Sequence, residues 1–256
     1  MKMKFTKAIV KTPCKNLVKG LTSANLGLPD FGLAIKQHEQ YIEALKTCGL
    51  EVTVLEADNN FPDSTFVEDT AVLTSECAII TNPGADSRKG ETKEIKNVLN
   101  QFYDSIEFIK SPGTLDGGDV MMAGKHFYIG VSERTNTEGA QQLINILGKY
   151  GFTGSVVELK HVLHLKSGVA YLENNNLLAS GEFPEKEVFS HFNLLKVVGE
   201  EAYATNCVWI NDYVLVAKGF PKTKQLIENT GYKIIELDVS EFRKIDGGLS
   251  CLSLRF

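Results

Sequence analysis

No apolar run in this 256-residue chain approaches the ~18 residues that a membrane-spanning helix needs. The start, Met1-Lys2-Met3-Lys4-Phe5, is basic but leads into Lys7, Lys11 and Lys15 without the continuous apolar stretch of a signal sequence. Neither secretion nor membrane insertion is expected. Cysteine is scarce and odd in number: five residues, with no CxxC pair and no Cys-His zinc spacing, give no disulfide framework and suit a reduced, cytoplasmic setting. Clustered positive charge is also missing. Lys and Arg are scattered and the formal net charge is -5, which argues against nucleic acid or acidic lipid as a partner. The single tryptophan, Trp209, lies in the run Val208 to Ile210 and reads as core strand rather than as a binding platform.

A repeating unit is present instead. Phe66 to Thr74 reads as a strand, Cys77 to Thr81 as its partner, and Glu91 to Phe102 as a helix with Ile95, Val98, Leu99 and Phe102 at helical spacing. The pattern returns with a hairpin of Asp119 to Ala123 and His126 to Ile129 around Gly124-Lys125. The helix Glu138 to Tyr150, with Ala140, Leu143, Ile144 and Leu147 on one face, and the strand Ser155 to Leu159 follow. A third copy opens at His164, with strands Val169 to Leu172 and Leu177 to Ser180 flanking the turn Glu173-Asn174-Asn175-Asn176. A fourth runs from Cys207 through Tyr213 to Val216, the helix Lys222 to Thr230 and the strand Lys233 to Leu237. A period of about 40 to 50 residues signals a propeller or solenoid array, in which each unit is too small to bury its own apolar face. Pairing of the C-terminal strand near Ser250 with the N-terminal strand Thr6 to Val10 would close a ring of five. The expected architecture is therefore a five-bladed α/β propeller with pseudo-fivefold repeats, one domain over residues 1–256.

The repeat aligns polar residues. Glu68 and Asp69 open the first copy, Asp116 and Asp119 the second, His164 the third and Asn206 the fourth, while Cys251 falls in the last. Equivalent positions in a ring face its axis. Carboxylates, an imidazole and a thiol converging there supply a nucleophile, a base, a group to orient the base and an anchor for a cation. Cys251 follows Gly247-Gly248-Leu249-Ser250, where missing Cβ atoms let backbone approach a ligand. His161, three positions before His164, would suggest a metal pair, but no further ligand stands at recognisable spacing, so neither metal nor cofactor is expected. Cys14, Cys48, Cys77 and Cys207 lack polar company and are assigned no chemistry.

At these residues the chain resembles the dimethylarginine dimethylaminohydrolases, members of the guanidine-modifying (pentein) superfamily with a five-bladed α/β propeller. The matching stretches span the chain: Gly20-Leu21-Thr22, Phe61-Pro62-Asp63-Ser64 with Phe66-Val67-Glu68-Asp69, Arg88-Lys89-Gly90-Glu91-Thr92 and Leu115-Asp116-Gly117-Gly118-Asp119. Arg134-Thr135-Asn136, His164-Leu165-Lys166-Ser167-Gly168 and Lys244-Ile245-Asp246-Gly247-Gly248-Leu249-Ser250-Cys251 follow. The resemblance implies hydrolysis of N-omega-methylated arginines to citrulline and an amine, through a covalent cysteine thiouronium. By it Cys251 is the nucleophile, His164 the general acid and base, and Asp116 the carboxylate that orients His164. Asp69 grips the guanidinium, Leu21 and Asp63 meet the α-amino group, and Arg88 and Arg134 meet the α-carboxylate. Glu68, Ile245 and Ser250 line the pocket.

One departure within the superfamily bears on substrate. Deiminases acting on unmethylated guanidines carry an acid two positions after the histidine, where this chain has Lys166. A methylated nitrogen has fewer protons to donate, so a second carboxylate would lose hydrogen bonds at a cost on the order of 1 to 3 kcal/mol. Lys166 favours a methylated substrate. The rival readings are an arginine-type deiminase or amidinotransferase on the same fold, and a non-catalytic propeller binding module. A small methylarginine is the expected partner, and a homodimer is a possible assembly.

Overall fold

Alternating apolar residues give each repeat an antiparallel pair, as in Val120–Ala123 against His126–Val131, whose turn places Gly124 at φ 62. The computed structural model describes residues 4–256; residues 1–3, part of the basic start, lie outside the described residues. Five three-stranded sheets result. In chain order the first joins Leu254–Arg255, Lys7–Lys11 and Glu51–Leu55, and the second joins Ala71–Leu73, Ala78–Ile80 and Ile106–Phe108. Val120–Ala123, His126–Val131 and Thr153–Glu158 form the third, and Val169–Tyr171, Asn176–Ala179 and Asn193–Lys196 the fourth. Val208–Ile210, Tyr213–Ala217 and Lys233–Leu237 form the fifth. The middle strand of each sheet runs antiparallel to the first and parallel to the third. A five-bladed α/β propeller is formed, and the two ends of the chain share one blade through Ala8 opposite Arg255.

The parallel partner of each middle strand needs a crossover, and helices supply most of them. Thr137–Lys149 starts where the Asn136 side chain accepts from the Gly139 N–H at 2.8 Å, and buries Ala140, Leu143, Ile146 and Leu147. These side chains share a core cluster with Cys77 and Ile79 of the preceding blade, so neighbouring repeats share one apolar layer. Each fully buried Leu in such a layer contributes about 1.5–3 kcal/mol.

Three features differ from the sequence expectation. The first strand of the first repeat is shorter, because Val67–Thr70 forms a 3-10 turn before Ala71–Leu73. The third repeat has no α-helix: Gly181 at φ 58 and Pro184 confine its crossover to two short 3-10 turns, Phe183–Glu185 and Glu187–Phe189. The closing blade carries the long helix Phe31–Thr47, capped by Asp30, and the strand Glu51–Leu55, neither of which is apparent in the apolar pattern. That helix buries Gln37 and His38 beside Tyr41 and Leu45, which breaks its apolar stripe.

A short 3-10 turn leads into the first strand of every blade: Val67–Thr70, Gly117–Asp119, Leu165–Ser167, Gly199–Thr205 and Ser250–Leu252. Successive turns touch, so residues equivalent in the repeat meet near the axis. The approach is close enough to require glycine at one contact, since a Cβ on Gly117 would lie 1.9 Å from the Glu68 carbonyl oxygen. Among the described residues, no helix is long and apolar enough to cross a membrane.

Candidate active site

The axial turns collect charge from separate repeats in one pocket of about 40 Å³, lined by Asp69, Asp116, His164 and Cys251. Leu21, Asp63, Arg88, Arg134 and Ile245 also line it. Most of the side chains singled out in the sequence are brought together. Glu68 and Ser250 are not: they line a separate cavity of about 160 Å³. Glu68 is drawn there by Lys166 Nζ at 2.7 Å, the Ser250 hydroxyl at 2.7 Å and Arg255 at 3.2 Å, which together satisfy its carboxylate. The expectation that these two residues line the pocket of Cys251 is therefore corrected. Lys166 likewise reaches away from the pocket.

Asp69 is buried and anionic. Its Oδ1 accepts from the Gly118 N–H at 2.8 Å and its Oδ2 from Arg88 at 2.5 Å. Burial alone would raise its pKa, but Arg88 and then His164 outweigh that and hold it below the usual carboxylate range. A dry carboxylate with charged partners is a strong anchor for a second planar cation.

Arg88 differs in part from the expectation. It lines the pocket, yet its guanidinium is committed to Asp69, to Glu91 at 2.8–3.2 Å, and to the carbonyls of Phe66 and Asp63. With five N–H groups in all, about one remains for a ligand carboxylate. Arg134, by contrast, has no ion pair among the described residues, so its fork is free. Glu91, not foreseen as functional, holds Arg88 from behind; burial pushes its pKa up to about 7 against the pull of Arg88. Asp63 accepts from the Leu21 N–H at 3.0 Å, and burial raises its pKa.

His164 is positioned differently from the expectation. Asp116 Oδ2 lies 4.0 Å from Nε2, too far for a hydrogen bond, because the Asp116 carboxylate is held by the Gly84 N–H at 2.8 Å. The nearer acid is Asp119, whose Oδ2 lies 3.3 Å from Nδ1. That nitrogen is buried and its N–H is not aligned on the oxygen, so the contact is chiefly charge with charge. Asp119 is fixed by Ser132, by Thr135 and by the Leu165 N–H, at 2.7, 2.7 and 3.0 Å. Asp116 and Asp119 are only three residues apart, and nothing in their spacing decides which one faces the ring. Asp119, not Asp116, is thus the carboxylate nearer the His164 ring.

These acids set the resting protonation. Burial disfavours the imidazolium, but Asp119, Asp69 and Asp116 overcome it and raise His164 to about 9. Burial, then Asp116's neighbour Asp69, raises Asp116 to about 6. Burial, with Glu68 and Asp69, pushes the Cys251 thiol up to about 12, while the Gly248 N–H and Lys166 pull the other way. At neutral pH the pair rests as thiol and imidazolium. Asp69, Asp116 and His164 have ligand atoms within 4.8 Å of one another, a spacing that could hold a metal ion. The positive charge already there, on Arg88 and the imidazolium, opposes one.

Because the folded-state pKa of His164 lies above its unfolded value of about 6.5, the imidazolium stabilises the fold fully below that pH and the contribution is lost through about 9. Urea unfolding of wild type and His164→Gln at pH 6 and pH 10 is expected to show their stability difference shrink by on the order of 3 kcal/mol. A gap that stays constant across that range would mean that His164 is neutral in the native state.

Residues 31–179 match the family model described as N,N dimethylarginine dimethylhydrolase, eukaryotic. The chain is 55% identical over 253 residues to the N(G),N(G)-dimethylarginine dimethylaminohydrolase of Pseudomonas aeruginosa, covering 98% of this chain and 100% of that one. A cysteine-to-serine variant of the Pseudomonas aeruginosa enzyme, complexed with citrulline, matches with TM-score 0.98 and 54% identity, over 99% of this chain and 100% of that one. A second solved structure, of a histidine-to-glycine variant of dimethylarginine dimethylaminohydrolase in adduct with S-methyl-L-thiocitrulline, matches with TM-score 0.97 and 55% identity, over 98% of this chain and 100% of that one.

Proposed function

The chain belongs to the dimethylarginine dimethylaminohydrolase family, and from that premise we propose that it hydrolyses methylated arginine with Cys251 as nucleophile and His164 as acid and base. The reading is carried by one observation: Cys251, His164 and the anionic Asp69 come from three different repeats and line one pocket. Asp69, with Asp116 behind it, receives the guanidinium. Arg134, helped by the remaining N–H of Arg88, receives the α-carboxylate, and Asp63 with the Leu21 backbone receives the α-amino group. Ile245 closes the apolar side.

A guanidinium carbon is a poor electrophile because its charge is spread over three nitrogens. Holding it planar against Asp69 and in line with the sulfur turns an encounter into a positioned attack. The substrate cation also offsets Glu68 and Asp69, the charges that disfavour the thiolate, so the thiol gives its proton to solvent as substrate binds. The sulfur then bonds to the guanidinium carbon. As the carbon–nitrogen bond breaks, the imidazolium of His164 gives its proton to the departing dimethylamine, leaving a thiouronium. Neutral His164 takes a proton from water, whose oxygen adds to the same carbon; the carbon–sulfur bond then breaks, the new hydroxyl's proton passes to the departing sulfur, and citrulline leaves with Cys251 again a thiol and His164 again an imidazolium.

The pocket, about 40 Å³, is partly open and smaller than the usual ligand cleft. The segment from Gly20 to Pro29 reaches it through Leu21 and is tied down by Thr22 to the Lys244 carbonyl at 3.1 Å and by Ser23 to Asp246. Those few surface bonds suit a lid. Five unpaired cysteines support a cytoplasmic setting, and shared apolar layers between repeats support action as one domain.

The test is citrulline release from asymmetric dimethylarginine and from arginine in parallel. With Lys166 in place and drawn to Glu68, the position two residues after His164 offers no acid to clamp an unmethylated guanidinium. A preference for the methylated compound of roughly ten- to a hundredfold in kcat/KM is expected. Preference for arginine would instead make the chain a deiminase.

A further inference from the structure

Cys251 and His164 enter the pocket from the fifth and third repeats, and the residue that joins their two turns belongs to the fourth. The Asn206 side chain is buried. Its Nδ2 donates to the Lys166 carbonyl at 3.0 Å, two residues beyond His164, and to the Ser250 hydroxyl at 3.1 Å, beside Cys251. Its Oδ1 accepts from the Ser250 N–H at 2.9 Å. Gly248 packs on the same amide so closely that a Cβ there would lie 2.6 Å from Asn206 Cγ. The Gly248 N–H is also the backbone group that favours the Cys251 thiolate. One planar amide thus touches the histidine turn, the cysteine turn and the glycine behind the sulfur.

We propose that Asn206 is a positioning residue for the reaction, fixing the sulfur of Cys251 at its working distance from the His164 imidazole. The proposal rests on the reading of Cys251 and His164 as the reacting pair. It requires an amide. A carboxylate would keep an acceptor for Ser250 N–H but lose the donor to Lys166, and would add negative charge near Glu68, which already accepts from Ser250. None of the Asn206 hydrogen bonds goes to Leu21, Asp63, Arg88 or Arg134. Loosening this clasp therefore misplaces the chemistry and leaves the amino-acid end of the site intact. A misplacement of about 1 Å costs on the order of a hundredfold in rate.

The experiment is steady-state kinetics of Asn206→Asp and Asn206→Ser on asymmetric dimethylarginine, with thermal melts and wild type assayed alongside. The expected result is kcat reduced by about a hundredfold, KM within about threefold of wild type, and cooperative melting retained. Unchanged kcat, or a loss seen only as a raised KM, overturns the proposal, because a clasp that only supports the fold has no reason to spare binding while slowing chemistry. If Asn206→Asp does not fold, Asn206→Ser is judged by the same criteria; failure of both to fold makes the residue purely structural and also overturns it. A wild type inactive on methylated arginines would overturn the earlier reading of the pair instead, so the two failures are distinguishable.

Discussion

Cys251→Ser is expected to fold and to bind methylarginine within a few-fold of wild type, while citrulline formation falls by on the order of 10⁴- to 10⁶-fold. The size follows from resting protonation. Wild type need only lose a thiol proton that the substrate cation helps to expel, and sulfur is an intrinsically strong nucleophile. A serine hydroxyl is far less acidic, and His164, raised to about 9 by the surrounding acids, already carries its proton and cannot accept another. Binding survives because Asp69, Asp63 and Arg134 are untouched. Product assay and calorimetric titration, run on the same preparation, measure the two halves of this statement. Equal turnover in the variant would remove Cys251 from the chemistry altogether.

The propeller is legible in the sequence because its strands are short and alternating, and because helices such as Thr137–Lys149 place Ala140, Leu143 and Leu147 at helical spacing. Local pattern fails where burial is mixed. Phe31–Thr47 hides Gln37 and His38 on its inner face, so a 17-residue helix leaves little apolar signature. It also fails where the outcome depends on contacts between repeats. Asp116 and Asp119 look equivalent as letters, yet one is held by Gly84 and the other by Ser132, Thr135 and Leu165, and that difference decides which stands nearer His164. Glu68 and Asp69 are adjacent, but a 3-10 turn sends them to opposite sides of the axial wall, one to Lys166 and Arg255, the other to Arg88. The convergence of charge was readable from the repeat; its partition between two cavities depends on partners distant in sequence.

On the proposed reading His164 has two consecutive tasks, acid and then base, and His164→Gly separates them. With dimethylarginine the first task is decisive: an amine is a very poor leaving group as its anion, so without the imidazolium carbon–nitrogen cleavage becomes the slow step, and kcat is expected to fall by on the order of 10²- to 10⁴-fold with no adduct accumulating. S-methyl-L-thiocitrulline changes the leaving group, since methanethiolate departs without a proton. Cys251 can then displace it, after which the missing base strands the thiouronium. Intact-protein mass spectrometry of His164→Gly with this compound is expected to show one covalent adduct per chain, absent when Cys251→Ser is added. Adduct with dimethylarginine as well would mean that another group protonates the amine, and Asp116, raised to about 6 and buried beside the ring, would be the candidate. Release of citrulline from both compounds at the wild-type rate would leave His164 no part in proton transfer.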